Sequence, residues 1–174
     1  MKTIVVTGPE STGKTMISEF LSRHLECPWV PEYAREYIGK LNRPYTYIDL
    51  EYIMDMQIRQ KIEMEKAGTS FLVLDTWLIL TKVWFFEVFK QYPVQLDEEI
   101  SKHKIDLFVI CKPDMPWIPD PLRENGGARR DYLMNRYVEE IKSTCMDYII
   151  IGGSGDDRYH NALQVVKTHF SLPL

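Results

Sequence analysis

Residues 8–15 read GPESTGKT, a run of eight positions that holds two glycines, a lysine and three hydroxyl side chains. Glycine lets a backbone turn tightly and bring N–H groups against an anion, and lysine supplies the opposing charge. The run follows an apolar segment (TIVVT, 3–7) and precedes a helical pattern with Ile17, Phe20, Leu21 and Leu25 on one face. In that setting the spacing G-x-x-x-x-G-K-[ST] is a polyphosphate cradle. Lys14 neutralises the β- and γ-phosphates, the Thr15 hydroxyl ligates Mg²⁺, and the helix N-terminus adds positive charge. Gly8, Glu10, Ser11, Thr12, Gly13, Lys14, Thr15 and Met16 are therefore expected on a nucleotide, ATP or GTP. A cradle sets the cofactor class and leaves the function open, because kinases, motors and switches share it.

Phosphoryl transfer to an alcohol needs more: a carboxylate at the acceptor, a carboxylate for Mg²⁺, and mobile cations over the phosphoryl group. In an open parallel sheet, ligands meet the carboxyl ends of the strands. Glu32 closes the run PWVPE and Asp75 closes FLVLD. Glu32 is expected to orient the acceptor and Asp75 to serve Mg²⁺ with Thr15; the reverse assignment stays open. Tyr33 and Arg35, on a helix after Glu32, and Trp77, two residues past Asp75, are expected on the acceptor. Arg35 has two competing uses, a pair with Asp75 and a surface ion pair. The mobile cations are expected from a Pro- and Gly-rich segment, about 113–131, where Arg123, Arg129 and Arg130 flank Gly126-Gly127 as an arginine-bearing lid. Arg123 and Arg130 complete a catalytic set with Lys14, Glu32 and Asp75, and Arg129 joins the donor nucleotide. Trp29, Tyr33, Trp77, Trp84 and Trp117 are candidates to stack on a base, with core packing as the competing use of each. The turn Gly152-Gly-Ser-Gly155 is a further place for backbone to approach an adenine ring.

These groups need a scaffold that gathers strand ends. Apolar, β-branched or aromatic runs predict strands at 3–7, about 28–32, 71–75, 106–111 and 147–151. Helical patterns follow the glycine loop and cover 46–66 (with Gly68 as a stop), 76–91, 129–144 and about 157–170. Alternating β and α elements predict a three-layer α/β domain around a mostly parallel five-stranded sheet, the P-loop NTPase arrangement of nucleoside and nucleotide kinases. The chain reads as one domain over 1–174. At 45% hydrophobic and 26% charged residues it has a globular profile. A net charge of −4 argues against a nucleic-acid partner, and no apolar run nears the ~20 residues of a membrane helix. No leader segment is visible, and Cys27, Cys111 and Cys145 lack metal-ligand spacing, which suggests reduced thiols and a cytoplasmic setting. Oligomeric state is not legible.

The blocks GPESTGKT, PEYAREY, LDTW with TKVW, and WIPDPLR resemble the ribosylnicotinamide kinase domain of bacterial NAD-biosynthesis regulator proteins, and the small P-loop ATPases grouped with it. The resemblance runs from residue 1 to about 170. It implies a nucleoside-kinase-like fold, ATP as donor and ribosylnicotinamide as acceptor. It also implies Lys14 and Thr15 on ATP–Mg²⁺, Glu32 and Asp75 at the reacting centre, and Arg123 with Arg130 in the lid. Larger members add a helix-turn-helix or an adenylyltransferase domain, for which this chain has no room. The expected function is thus ATP-dependent phosphorylation of the 5′-hydroxyl of a small nucleoside-like molecule. The competing readings are a P-loop ATPase or switch acting on a macromolecule, and a kinase for another nucleoside or nucleotide.

Overall fold

The computed structural model describes residues 1–173. Five strands, β1 (Lys2–Thr7), β2 (Trp29–Val30), β3 (Phe71–Asp75), β4 (Leu107–Cys111) and β5 (Tyr148–Ile151), form one sheet in the order β2-β3-β1-β4-β5. All four pairings are parallel. Successive side chains of a strand face opposite sides of the sheet, and here both sides are apolar. Val5, Leu72, Leu74, Phe108 and Ile110 pack into one core, while Ile4, Val6, Val73, Leu107 and Val109 pack into the other. Helices cover both.

On one side lie α1 (Lys14–His24) and α7 (Gly155–His169), which bury Ile17, Leu21, Ala162 and Val166. On the other lie α3 (Tyr47–Glu65), α4 (Leu78–Phe89), α5 (Val94–Lys102) and α6 (Ala128–Ser143), which bury Leu50, Phe85, Leu96 and Ile141. The short α2 (Tyr33–Gly39) links β2 to this layer. A capping box fixes the start of α3: the Thr46 side chain accepts from Asp49 N, and the Asp49 carboxylate accepts from Thr46 N. Among the described residues, no helix is long and apolar enough to cross a membrane.

The three-layer, P-loop-type architecture is as expected, with two local differences. β2 holds only Trp29 and Val30, not 28–32. Pro28 and Pro31 bracket it, and proline has no N–H to extend a ladder. Glu32 therefore sits just beyond the strand, as the extended residue before α2. Helix α5 was not expected: its nine residues bury only Leu96 and Ile100, too few turns to show a period.

The sheet places the site through register. Val6 pairs with Asp75 and Thr7 with Ile110, so the carboxyl ends of β1, β3 and β4 lie side by side. Gly8 leaves β1 at φ 139°, so close to β4 that a Cβ there would sit 2.5 Å from the Cys111 carbonyl oxygen. That neighbour is backbone and cannot turn aside. Gly8→Ala should therefore lower stability by at least about 1–3 kcal/mol, seen as a lower denaturation midpoint in urea.

Candidate active site

The cradle forms at the junction of β1 and α1. Gly13, just before α1, is left-handed (φ 74°), no side chain caps the helix, and its first turn carries no acidic residue. The leading N–H groups of a helix have no intrahelical partner. This end therefore offers free donors and a positive dipole to an anion. Lys14 Nζ donates to the Pro9 carbonyl at 3.0 Å, keeping its charge within the loop.

Thr15 Oγ1 donates to Asp75 Oδ2 at 2.6 Å. The other carboxylate oxygen, Oδ1, is buried with no partner. Burial, and then the charge of Glu32, push Asp75 up to about 6, against the pull of Lys14 and the Thr15 hydrogen bond. An orphaned carboxylate oxygen beside a hydroxyl at the phosphate end fits a divalent cation. Among the described residues, no three His, Cys, Asp or Glu side chains gather into a metal cage. Mg²⁺ needs none, since it keeps waters and takes substrate phosphates as ligands.

A cavity of about 510 Å³ extends from this point. Gly8, Gly13, Lys14, Thr15 and Met16 line its phosphate end, and Glu32 and Arg35 line it further on. One wall is a face of α4: Leu80, Val83, Trp84, Glu87 and Val88, at helical spacing. Trp84 Nε1 donates to Tyr45 Oη at 3.1 Å, and the two rings meet edge-on with centroids 5.0 Å apart. Arg123 and Arg129 reach the cavity from the 113–127 segment and the start of α6. Arg123 Nη1 donates to Ile118 O at 2.5 Å, and Arg129 pairs with Glu87.

Of the expected site residues, Thr12, Tyr33, Trp77 and Arg130 do not line the cavity, while Glu10, Ser11 and Arg35 line it with their side chains engaged by other protein groups. Trp77 is buried in the core with His103 edge-on at 6.0 Å and does not line the cavity. It is the extended residue before α4, so the chain turns its ring under the sheet. The Tyr33 ring stands outside the cavity, against Tyr37 at 6.0 Å and Tyr52 at 6.2 Å. Thr12 is buried and braces the loop, its Oγ1 donating to Pro9 O at 2.8 Å. The Glu10 carboxylate accepts from Asn125 N and Nδ2, both at 3.0 Å, and Ser11 Oγ accepts from Ile118 N at 3.0 Å. These two side chains thus hold the 113–127 segment. Arg35 pairs with Asp120, not Asp75. Arg130 is buried, lines no part of the cavity and donates to backbone carbonyls.

Of the aromatic candidates only Trp84 lines the cavity. Trp29 packs into the α1–α7 core, and Trp117 lies 5.9 Å from the Arg130 guanidinium. The 152–155 turn is tied back by Asp114, which accepts from Gly153 N at 2.8 Å and Arg158 Nη1 at 2.6 Å. Sequence reasoning missed Arg43, Tyr45 and Glu87. Glu87 had a signal, a lone charge on the apolar α4 stripe that carries Leu80 and Trp84. Tyr45 had none, being 39 residues from its partner Trp84.

The profile of the AAA domain family matches residues 3–158. The chain belongs to that family. Within it, this AAA domain chain is similar to the trifunctional NAD biosynthesis/regulator protein NadR of Salmonella typhimurium, at 22% identity over 174 residues. The match covers 96% of this chain and 42% of that protein, so the chain spans less than half of its curated relative. Among solved structures, a NadR protein in complex with NR superposes with a TM-score of 0.76 at 22% identity, covering 99% of this chain and 52% of that one. Thymidylate kinase from Ehrlichia chaffeensis superposes with a TM-score of 0.68 at 15% identity, covering 96% and 97%. At these identities the likeness is one of fold, the three-layer P-loop arrangement described above.

Asp75 makes the ligand-free site sensitive to pH. Its folded pKa of about 6 lies above the ordinary carboxylate value. Between the two values the folded chain holds more protons than the unfolded one, so this carboxylate lowers stability as pH rises through that window. Asp75→Asn removes the penalty. The ligand-free variant should melt above the parent by about 3–8 °C at pH 7.5, with the gain vanishing below about pH 4. Calorimetry across that range checks this.

Proposed function

We propose that this chain transfers the γ-phosphoryl group of ATP to the 5′-hydroxyl of a nucleoside-like acceptor, with ribosylnicotinamide as the leading candidate. One observation carries the reading: a single cavity joins the uncapped α1 end, with Lys14 and Thr15, to Glu32 and on to the Trp84–Tyr45 wall. A switch or motor needs the phosphate end and no enclosed space beyond it. A kinase needs both.

The residues divide the work. The loop N–H groups and Lys14 bind the donor phosphates, and Arg123 and Arg129 approach from the opposite side. Thr15 and Asp75 would hold Mg²⁺, which supplies charge neutralisation at the phosphates. Glu32 orients the acceptor hydroxyl and takes its proton. The transition state is loose, so Glu32 acts chiefly by positioning. Segment 113–127 acts as the lid that excludes water.

Support for the acceptor comes from the far wall. Ribosylnicotinamide carries a cationic aromatic ring, and such rings gain from aromatic faces. Trp84 and Tyr45 both line the cavity. Of the guanidinium groups that line the cavity, Arg43 gives both Nη groups to Asp49, at 2.7 and 2.9 Å.

The test is ADP release with ATP alone and with a panel of nucleosides that includes ribosylnicotinamide. Acceptor-dependent release is expected, and it should vanish in Lys14→Ala. Glu32→Gln should keep ATP–Mg²⁺ affinity and lose roughly 10²–10⁴ in acceptor turnover. Release that no acceptor raises would return the chain to the ATPase or switch reading. A second prediction concerns the lid: Arg123→Ala should lower kcat by about 10³ while ATP affinity changes little. Unchanged kcat would make 113–127 an ordinary surface loop.

A further inference from the structure

Arg130 stands where a phosphate contact was expected, yet it lines no part of the cavity and its guanidinium is engaged by backbone carbonyls. Nε donates to Glu10 O at 3.2 Å, Nη2 to Ser11 O at 3.0 Å and Nη1 to Met115 O at 2.9 Å. Its neighbour Arg129 lines the cavity and Arg130 does not. Consecutive residues on a helix point about 100° apart, so one can face ligand and the next the loop.

The geometry points to Arg130 as a positioning residue that aims the phosphate loop from behind. A trans peptide is planar, with C=O and N–H on opposite sides. Holding the Glu10 carbonyl sends the Ser11 N–H the other way, and holding the Ser11 carbonyl does the same for the Thr12 N–H. A guanidinium with a fixed fork can set two adjacent peptide planes at once; an ammonium, with rotatable donors on one nitrogen, fixes no such geometry. The loop has a reason to need this. Ser11 sits at φ 57°, a left-handed conformation that a non-glycine residue resists. Without an external hold it relaxes, and its peptide planes turn. The third bond, to Met115 O, ties the same guanidinium to the 113–127 segment, where Asn125 and Ile118 already engage Glu10 and Ser11. Swinging Arg130 out toward a γ-phosphate would break three hydrogen bonds in a partly buried place.

This inference rests on the phosphate-binding role given to the loop above, and the experiment separates the two. Parent chain, Arg130→Lys and Arg130→Met are compared in two measurements. The first is amide hydrogen exchange of residues 8–16 in nucleotide-free protein, which needs no activity. The second is affinity for the non-hydrolysable analogue AMP-PNP with Mg²⁺, without acceptor. Both variants should show faster loop exchange and roughly 10- to 100-fold weaker AMP-PNP binding, the usual effect of losing a support behind a binding group. Turnover at saturating ATP should fall less than affinity does. Lysine should rescue at most in part, because its single nitrogen cannot stand in the places of the three guanidinium nitrogens; if the Met variant does not fold, the Lys variant alone decides. Loop exchange and AMP-PNP affinity like the parent's, with only kcat reduced, would overturn the inference and make Arg130 a transition-state contact. A parent chain that binds no AMP-PNP would remove the phosphate-loop reading, while the exchange data would still judge the clasp.

Discussion

Everything at this site depends on one helix end that opens onto a cavity. The first turn of α1 has neither a capping side chain nor an acidic residue, and Gly13 before it is left-handed. Among the described helices only α3 has a side-chain cap, from Thr46 and Asp49, so what sets α1 apart is the left-handed glycine before it and the cavity that it faces. The contrast is physical: donors at a helix start must find partners, and those of α1 are left facing a cavity. Gly8 brings the loop to this place by passing within backbone contact of β4, which no other residue permits. The sheet register then sets Asp75 beside it.

Placing a carboxylate there has an energetic cost that the ligand-free protein carries. Asp75 is buried, has one oxygen without a partner and has Glu32 nearby. Perturbed carboxylates of this kind cluster at functional sites, which agrees with the Mg²⁺ role proposed for it. The opposite environment occurs at Asp49, where Arg43, Tyr37 and Thr46 hold the carboxyl well below its ordinary range. One carboxylate organises the α2–α3 connection; the other stands beside Thr15 with one oxygen unbonded.

What the sequence made legible was local. The glycine turn between β1 and α1, the position of Asp75 at the end of β3 and the alternation of elements are each legible in short runs of sequence, and the structure has all three. What it hid was direction. Arg129 and Arg130 are adjacent letters but point to different sides of α6, one to the cavity and one to the loop backbone. Trp77 is two letters from Asp75, yet the turn into α4 buries it. Tyr45 and Trp84 meet only because α3 and α4 pack together, a fact no short window contains. Glu10 and Ser11 have nucleotide-loop identities in the motif, while their side chains are engaged by the segment opposite.

The shortness of β2 bears on behaviour in solution. An edge strand ordinarily presents a row of unpaired N–H and C=O groups, to which a second chain can add itself. Here that edge is two residues long and bracketed by Pro28 and Pro31. Neither proline offers a donor, so an incoming strand finds almost no ladder to join. The prolines that shorten the strand, and so put Glu32 ahead of α2, also seal this border of the sheet against growth. Replacing them to lengthen β2 would open it to association with other copies.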